Sequence, residues 1–216
     1  MASRIYPHPI IAREGWPIIA GAAAATILFW LLDWDTLAFI ALLATIFCVQ
    51  FFRDPARELP SDSRAVVSPV DGRVCRVDRS VINPETGEEC RRVCIFMNVF
   101  NVHSQKAPVA GTVEKVTYTP GLFINADLDK ASTDNERNAV TVRVADGRLV
   151  TFIQIAGLVA RRIICYAQVG DALERGERYG FIRFGSRVDV YLPMDCEITA
   201  QLGDKMVGNM STIARL

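Results

Sequence analysis

A glycine followed by a serine joins two strand-like runs, and this pair, Gly185-Ser186, is the part of the sequence best suited to covalent chemistry. In the runs 181–184 and 188–192, β-branched and aromatic residues alternate with charged ones, which is typical of half-buried strands. Glycine has no side chain, so its carbonyl lies open to the neighbouring hydroxyl. Two interpretations follow: a kinked strand with a polar tip, or a self-processing site in which Ser186 attacks the carbonyl of Gly185.

Two other residues carry the groups that such a reaction needs. Asp71 lies in a Pro-Val-Asp-Gly turn, where an acid is also common for structural reasons. His103 follows an apolar run, and the other histidine, His8, precedes the hydrophobic part of the chain. A histidine base in the strand-rich part must therefore be His103. With Ser186 these residues could form an acid–base–nucleophile set, in which the carboxylate orients the imidazole and the imidazole takes the serine proton.

A different chemistry is suggested by Lys130, which lies in an Asp-Lys-Ala triplet similar to the modified lysine site of lipoyl carrier domains. A carrier needs this lysine at an exposed hairpin tip, whereas here it lies in a long polar loop, 125–138. Loops of that length inside a compact domain are often functional. An ordinary surface loop is the alternative interpretation.

Composition limits the class of protein. A length of 216 residues predicts one domain with an appendage, and half of the residues are hydrophobic. A formal net charge of zero argues against nucleic-acid binding, which usually needs a basic stripe. The six cysteines form no Cys-x-x-Cys pair and only two histidines are present, which argues against a structural zinc site. We expect reduced, buried cysteines in a cytoplasmic protein.

Two apolar runs, 16–32 and 36–52, lie near the N-terminus and are separated by an acidic turn. Each is at the short end of what crosses a bilayer as a helix. Arginines flank both outer ends, so the positive-inside tendency predicts a hairpin with both ends in the cytoplasm. A cleaved signal peptide fits poorly, because two runs occur and no small-residue cleavage site follows the first. A re-entrant hairpin and a buried helical hairpin of a soluble fold are the alternatives.

From residue 66 onward the pattern changes to short alternating strands, which predicts a mainly β domain with a sandwich or barrel-like fold. Asp-Gly pairs at 71–72 and 146–147 predict hairpin turns. We therefore divide the chain into a membrane-associated helical hairpin, 1–57, and a β-rich catalytic domain, 58–216. The predicted strands are 73–79, 92–99, 111–118, 139–144, 148–156 and 162–169.

The motif Pro-Val-x-Gly-x-Val occurs twice, at 69–74 and at 108–113. Because each copy leads into a predicted strand, the motif indicates a β domain built from two similar halves. The second copy has Ala110 where the first has Asp71, so the shared pattern alone does not explain the acid.

Several segments of the chain form a specific set when their order and spacing are taken together: the N-terminal hydrophobic hairpin, 68–74, 98–103, 121–132, 135–137 and 183–189. With this set the chain resembles the phosphatidylserine decarboxylases, specifically their short bacterial and archaeal branch, over essentially its whole length. Two departures occur. Longer members carry Leu-Gly-Ser-Thr at the processing site, where this chain has Phe184-Gly-Ser-Arg187, and they have a second histidine where this chain has Phe100. A role assigned to that second histidine does not carry over.

The resemblance implies an inactive proenzyme that cuts itself between Gly185 and Ser186, with His103 as base and Asp71 orienting it. The products would be a β chain of residues 1–185 and an α chain of residues 186–216, which stay associated. Ser186 would become a covalent pyruvoyl cofactor, and no metal is implied.

The same resemblance implies that the pyruvoyl group forms a Schiff base with phosphatidylserine, and that carbon dioxide and phosphatidylethanolamine are released. His103 is then a candidate proton donor. The hydrophobic hairpin would hold the site at the cytoplasmic face of the cell membrane, and the chain could form a homo-oligomer.

Three alternatives remain from the residues themselves. A pyruvoyl-dependent decarboxylase of a soluble amine would not need the membrane hairpin. A membrane-tethered lipoyl or biotinyl carrier would be modified on Lys130. A serine hydrolase would use Ser186 directly, although a Gly-Ser between strands is not the strand–turn–helix elbow of such enzymes.

Overall fold

The computed structural model describes residues 10–127, 131–158, 163–183 and 185–216. These residues belong to two compact units, of which the first falls within Tyr6–Ala56 and the second includes Arg57–Leu216. The first unit is helical and the second is mainly β, as the sequence predicts.

The helical unit is a hairpin of two apolar helices. A 3₁₀ turn (Arg13–Gly15) leads into α1 (Trp16–Leu31), and α2 (Asp35–Phe51) follows after a short turn. The hydroxyls of Thr26 and Thr45 lie 3.1 Å apart between the two helices. Most of the large apolar side chains on both helices are exposed, so the hairpin does not bury its own hydrophobic surface.

By length and composition, the segment Arg13–Leu31 could cross a membrane, and Asp35–Phe51 is apolar but shorter. The two ends of the hairpin are joined by backbone hydrogen bonds. The amide of Ala12 donates to the carbonyl of Phe52 over 2.7 Å, which brings the entry and exit of the hairpin together.

The elements described in the second unit are β1 (Ala65–Val67), β2 (Gly72–Ile82), β3 (Glu89–Met97), β4 (Ser104–Lys106), β5 (Gly111–Thr119), α3 (Ala131–Asp134), β6 (Arg137–Arg143), β7 (Leu149–Ala156), β8 (Ile163–Cys165), β9 (Ala172–Leu173), β10 (Arg178–Ile182), β11 (Ser186–Leu192), β12 (Glu197–Ile198), β13 (Lys205–Met206) and β14 (Thr212–Arg215). Within the described residues these strands form three antiparallel sheets. The largest has eight strands, in the order β13-β2-β3-β11-β7-β6-β5-β9, and the smaller ones have the orders β1-β14-β12 and β4-β10-β8.

The repeated motif marks two equivalent halves of the large sheet. From one edge the order is β13, β2, β3 and β11, and from the other edge it is β9, β5, β6 and β7. In both halves a two-residue strand comes first, then the strand that begins within the motif, then its antiparallel neighbour, and then a central strand. A side chain at Gly72 would lie 2.9 Å from a methyl of Ile95, and one at Gly111 would lie 2.6 Å from a methyl of Val142. Glycine is required at the same point of both halves, because the neighbouring strand lies too close for a Cβ.

The central strands of the large sheet are buried on both faces. Val188 and Val190 of β11 and Phe152 of β7 point into the main core. Tyr191 and Ile155 lie in a second apolar cluster, which includes residues of the segment that follows β5. Because both faces are covered, β11 is buried along its whole length, and the residue at its start is held in a dry environment.

The turn predictions have different outcomes. The Asp146-Gly147 pair closes the β6–β7 hairpin, and Gly147 has the left-handed φ of +92° that such a turn needs. The hairpin predicted at Asp71-Gly72 is wrong, because β1 pairs with β14 and β2 pairs with β3 and β13. The strand predicted over 162–169 is limited, within the described residues, to Ile163–Cys165.

Candidate active site

The site is built around Ser186, the first residue of β11. In the sheet register Ser186 lies opposite Met97, the last residue of β3, and opposite Ala156, the last residue of β7. Its side chain is fully buried. The hydroxyl makes its hydrogen bond to the sulfur of Met97, 4.0 Å away, which is a weak contact. The hydroxyl is thus shielded from solvent and is held only by this weak hydrogen bond.

The carbonyl that Ser186 would attack belongs to Gly185, which has a left-handed φ of +67°. A Cβ there would meet no atom of the described residues within 4 Å, and the left-handed backbone favours glycine. A second glycine, Gly157, is crowded: a Cβ there would overlap the carbonyl oxygen of Gly185 and lie 2.9 Å from its carbonyl carbon. The backbone at 157 therefore packs directly against the Gly185 carbonyl.

His103 lies beside Gly185 because two short strands pair. β4 follows His103 in the chain and pairs with β10 in the register Phe181↔Ser104, and β10 leads into residue 185. The histidine is fully buried, and its Nε2 accepts a hydrogen bond from the amide of Gly185 over 3.3 Å. Its Nδ1 lies 2.9 Å from the carbonyl oxygen of Asn101.

These two contacts assign the tautomer of His103. A carbonyl oxygen only accepts, so Nδ1 carries the proton that is donated to Asn101. Nε2 is then unprotonated, and it accepts from the Gly185 amide. The lone pair of a buried base is thus directed at the residue whose carbonyl precedes Ser186.

Asp71 lies at the same end of the sheet. Arg73 and Arg187 share the partner Phe96 on β3, so Gly72 is level with Ser186 across two strand spacings, about 10 Å. Asp71 is therefore level with Gly185.

The carboxylate of Asp71 is buried and held by three donors. Both terminal nitrogens of Arg57 bind it, one over 2.8 Å, and the amide of Gly208 donates over 2.8 Å. Within the described part of the chain, no hydrogen bond joins Asp71 to His103. In this structure the Asn101 carbonyl, and not the carboxylate, orients the imidazole.

Two residues of the site are not identified by the sequence interpretation. Gly157 follows β7 in an ordinary Ile-Ala-Gly-Leu context, so only the structure identifies its contact with Gly185. In the sequence Arg187 is only a departure from the family pattern, yet its side chain is 2% exposed and is bound to Asp189. Burial opposes its charge, but the carboxylate of Asp189 outweighs burial and raises the pKa of the Arg187 guanidinium.

The remaining candidates have no established place in the site. Lys130 and Phe184 lie outside the described residues. Phe100 is 64% exposed in the segment before His103. Cys75 lies near Arg187, and burial raises the pKa of its thiol to about 11, so this thiol is protonated and a poor nucleophile at neutral pH. Across the described residues, no cluster of three or more His, Cys, Asp or Glu side chains could hold a metal ion.

The structure is compatible with a pyruvoyl group at position 186. Such a group keeps the three carbons of the serine residue, so it occupies space that the buried Ser186 already fills.

Comparison with known proteins agrees with this arrangement. The family model described as phosphatidylserine decarboxylase matches residues 44–214. A protein of Neisseria gonorrhoeae (strain NCCP11945) named phosphatidylserine decarboxylase proenzyme is 58% identical over 215 residues, covering 99% of this chain and 82% of that protein. Proteins with the same name from Neisseria meningitidis serogroup B and Ralstonia nicotianae are 58% and 53% identical, the latter over 98% of both chains. The chain belongs to the phosphatidylserine decarboxylase family.

Proposed function

We propose that this chain is a proenzyme that cuts itself before Ser186 and then decarboxylates phosphatidylserine to phosphatidylethanolamine. The observation that carries the proposal is the hydrogen bond of His103 Nε2 with the amide of Gly185, the residue that precedes the buried Ser186. An unprotonated imidazole, a loosely held hydroxyl and a peptide carbonyl are the groups that an intramolecular acyl shift needs.

The first step moves an acyl group from nitrogen to oxygen. The Ser186 oxygen attacks the carbonyl carbon of Gly185 while His103 takes the hydroxyl proton on Nε2. The peptide C–N bond breaks, the released nitrogen receives a proton, and an ester joins Gly185 to the serine oxygen. The loose contact of the hydroxyl with Met97 leaves it free to turn toward the carbonyl.

The second step separates the two chains. Loss of the Cα proton of residue 186 expels the ester oxygen as the carboxylate of Gly185, and a carbon–carbon double bond remains at 186. Water then replaces the nitrogen of that residue, which leaves as ammonia. One water is consumed and one ammonia released over the whole process, so no oxidant or reductant is needed.

The sheet would keep the fragments together. β11 begins at the cut and lies between β3 and β7, both of which belong to the β chain of residues 1–185. Apart from the amide of residue 186, which is lost with the nitrogen, its ladder hydrogen bonds and its buried side chains do not depend on the broken bond. The α chain of residues 186–216 therefore stays in place.

A pyruvoyl group at residue 186 supplies a carbonyl that can bind the primary amine of the substrate and accept the electron pair released with carbon dioxide. The protein residues do the rest. Burial around 186 excludes water, and His103 can hold at Nε2 the proton that the product carbon needs. Longer family members have a second histidine at the position of Phe100, and phenylalanine cannot exchange protons. His103 is therefore the candidate donor among the described residues near the cut.

Asp71 is proposed as the third member of the set. Its carboxylate lies level with Gly185 at the same end of the sheet and is held by Arg57 and Gly208. An orienting role requires that this carboxylate reach the imidazole during processing. The presence of alanine at the equivalent position of the other half, Ala110, supports a role specific to Asp71 and not to the fold.

The helical hairpin is proposed as the membrane anchor. In this proposal the anchor domain is 1–57 and the catalytic domain is 58–216. The exposed apolar side chains of the hairpin and the length of Arg13–Leu31 support bilayer contact, and the flanking arginines support the cytoplasmic face. Because the proposed substrate is a phospholipid of the bilayer, such an anchor would keep the active site close to it.

The proposal is tested by denaturing electrophoresis, intact mass measurement and carbon dioxide release from phosphatidylserine in detergent micelles. We expect two fragments divided at 185/186 and activity in the same preparation, and one uncut, inactive chain for Ser186→Ala. A full-length active chain contradicts the proposal. Added mass on Lys130 without cutting would indicate the carrier alternative.

A further inference from the structure

Arg187, the second residue of the α chain that the cut would produce, is one of the largest fully buried side chains of the domain. Its Nε donates to Asp189 over 2.8 Å, and one terminal nitrogen reaches the other oxygen of that carboxylate at 3.2 Å. Two further contacts lie on another segment: Nη1 donates to the carbonyl of Ala126 over 2.9 Å, and Nη2 donates to the hydroxyl of Ser132.

The segment that Arg187 contacts lies between β5 and β6, and we call residues 121–127 and 131–135 the covering loop. Alternation along β11 puts Ser186 on the core face and Arg187 on the opposite face, where the covering loop lies. The loop is also fixed by the fully buried Asn135, whose amide donates to Ile124 over 2.8 Å and to Ala156 over 2.7 Å.

Ala156 is the residue opposite Ser186 in the sheet. The covering loop is thus attached to the strand of residue 186 and to one of its neighbours, through Arg187 to β11 and through Asn135 to β7. These two attachments place the loop against the start of β11 and the end of β7, next to the proposed cut.

A buried guanidinium is costly to maintain, and an ion pair in such a place contributes little net stability compared with an apolar side chain of the same size. The value of an arginine here lies in its geometry. Its planar fork binds a carboxylate, a carbonyl and a hydroxyl in fixed directions, which a lysine ammonium cannot do.

We propose that Arg187 is a positioning residue, which holds the covering loop against the end of β11 and so keeps residue 186 in place after the chain is cut. The inference rests on the proposed function. Before the cut, the covalent bond to Gly185 restrains residue 186. Afterwards residue 186 begins its chain and has exchanged its amide nitrogen for oxygen, so it has lost a backbone donor. Strand ends without such restraints fray, and the contacts of Arg187 replace the missing restraint.

Arg92 provides a matched control on the same face of the sheet. It is buried to a similar degree, with 8% exposure, and it binds Asp78 over 2.7 Å and the hydroxyl of Tyr191 over 3.2 Å. It also lies 3.8 Å from Asp189, the carboxylate that Arg187 binds. Within the described residues its polar partners lie on strands and none lies on the covering loop.

The experiment compares Arg187→Lys with Arg92→Lys in the full-length protein. Melting temperature, kcat and KM for phosphatidylserine, and amide hydrogen exchange of the covering loop are measured on the cut protein. We expect both variants to lose similar thermal stability. Arg187→Lys should increase exchange in the covering loop and lower kcat about tenfold or more, because the reacting carbonyl is misplaced. Arg92→Lys should leave loop exchange unchanged and kcat within about threefold.

Two outcomes overturn the inference: unchanged loop exchange in Arg187→Lys, or an equal loss of kcat in both variants. If Arg187→Lys does not accumulate as folded protein, Ser132→Ala removes the loop side of one contact. Faster loop exchange with lower kcat in Ser132→Ala then supports the inference, and unchanged exchange overturns it. A wild-type chain that is neither cut nor active would instead overturn the proposed function, which keeps the two failures distinct.

Discussion

Gly157→Ala tests whether the carbonyl of Gly185 is held in place by the close approach of two backbone segments. A Cβ at 157 would overlap that carbonyl oxygen and lie 2.9 Å from the carbonyl carbon, inside ordinary van der Waals contact. The backbone of Gly157 is not left-handed, so alanine is otherwise allowed there. Either segment must move by roughly 1 Å, and a displacement of that size at a reacting centre costs about 100-fold in rate.

The assay is the rate at which newly made chain converts into two fragments, followed by pulse labelling and denaturing electrophoresis. Gly147→Ala is the matched control: its φ of +92° makes alanine strained by about 1–2 kcal/mol, but it has open space around it and lies at the opposite end of the sheet. We expect Gly157→Ala to mature about 100-fold more slowly and Gly147→Ala to mature normally. If Gly157→Ala matured at the wild-type rate, the conclusion that the close approach of Gly157 holds the Gly185 carbonyl in place would be refuted.

Three further predictions concern ionisable groups. His103→Gln removes the base and should slow maturation by about 100-fold or more, measured in the same pulse-labelling assay, and normal maturation would exclude His103 as the base. Asp71→Asn keeps the shape of the side chain but removes its charge, and should slow maturation at least about tenfold; a normal rate would remove Asp71 from the catalytic set. Burial opposes ionisation of Asp78, but hydrogen bonds from Arg76 and Arg92 outweigh it and hold the pKa of that carboxyl below its ordinary 3.8. The unfolded chain therefore binds the proton first as pH falls, so the stability that Asp78 contributes is present above pH 3.8 and is lost as pH falls through the lower folded pKa. Thermal melting from pH 6 to pH 3 should lose less stability at the acid end in Asp78→Asn than in the wild type, and identical acid profiles would contradict this reasoning.

Local pattern was sufficient to predict most of the strands. The predicted runs 111–118 and 148–156 correspond to β5 (Gly111–Thr119) and β7 (Leu149–Ala156), because alternation records which face of a strand is buried. The alternating pattern predicts that the last strand of the Gly-Ser region begins at residue 188, whereas β11 begins two residues earlier, at Ser186. Ser186 and Arg187 are polar yet buried, so their burial depends on partners that no local pattern specifies.

The repeat predicted two similar halves but not how they join. The sheet order places β11 beside β7 at the centre, and this follows from long-range pairing that the motif does not encode. The same limit applied to the turn at Asp71. An Asp-Gly pair fits a hairpin, but its carboxylate is bound by Arg57, and sequence alone does not select one arginine among many as its partner.

The contacts of the site were the least predictable part. The residue types of Ser186, His103 and Asp71 suggested their chemistry, but the contact of His103 with Gly185 requires β4 and β10 to pair across a large separation in the chain. The contact of Gly157 with Gly185 requires three strands to end at one level. Such proximity is a property of the folded sheet.

The most direct test of the account is the intact mass of the smaller fragment from freshly purified, active protein. The account predicts a fragment of residues 186–216 that is lighter by one ammonia than the same peptide beginning with serine, together with a complementary fragment ending in an ordinary carboxylate at Gly185. A fragment that retains the serine mass, or active protein that remains a single uncut chain, would contradict it.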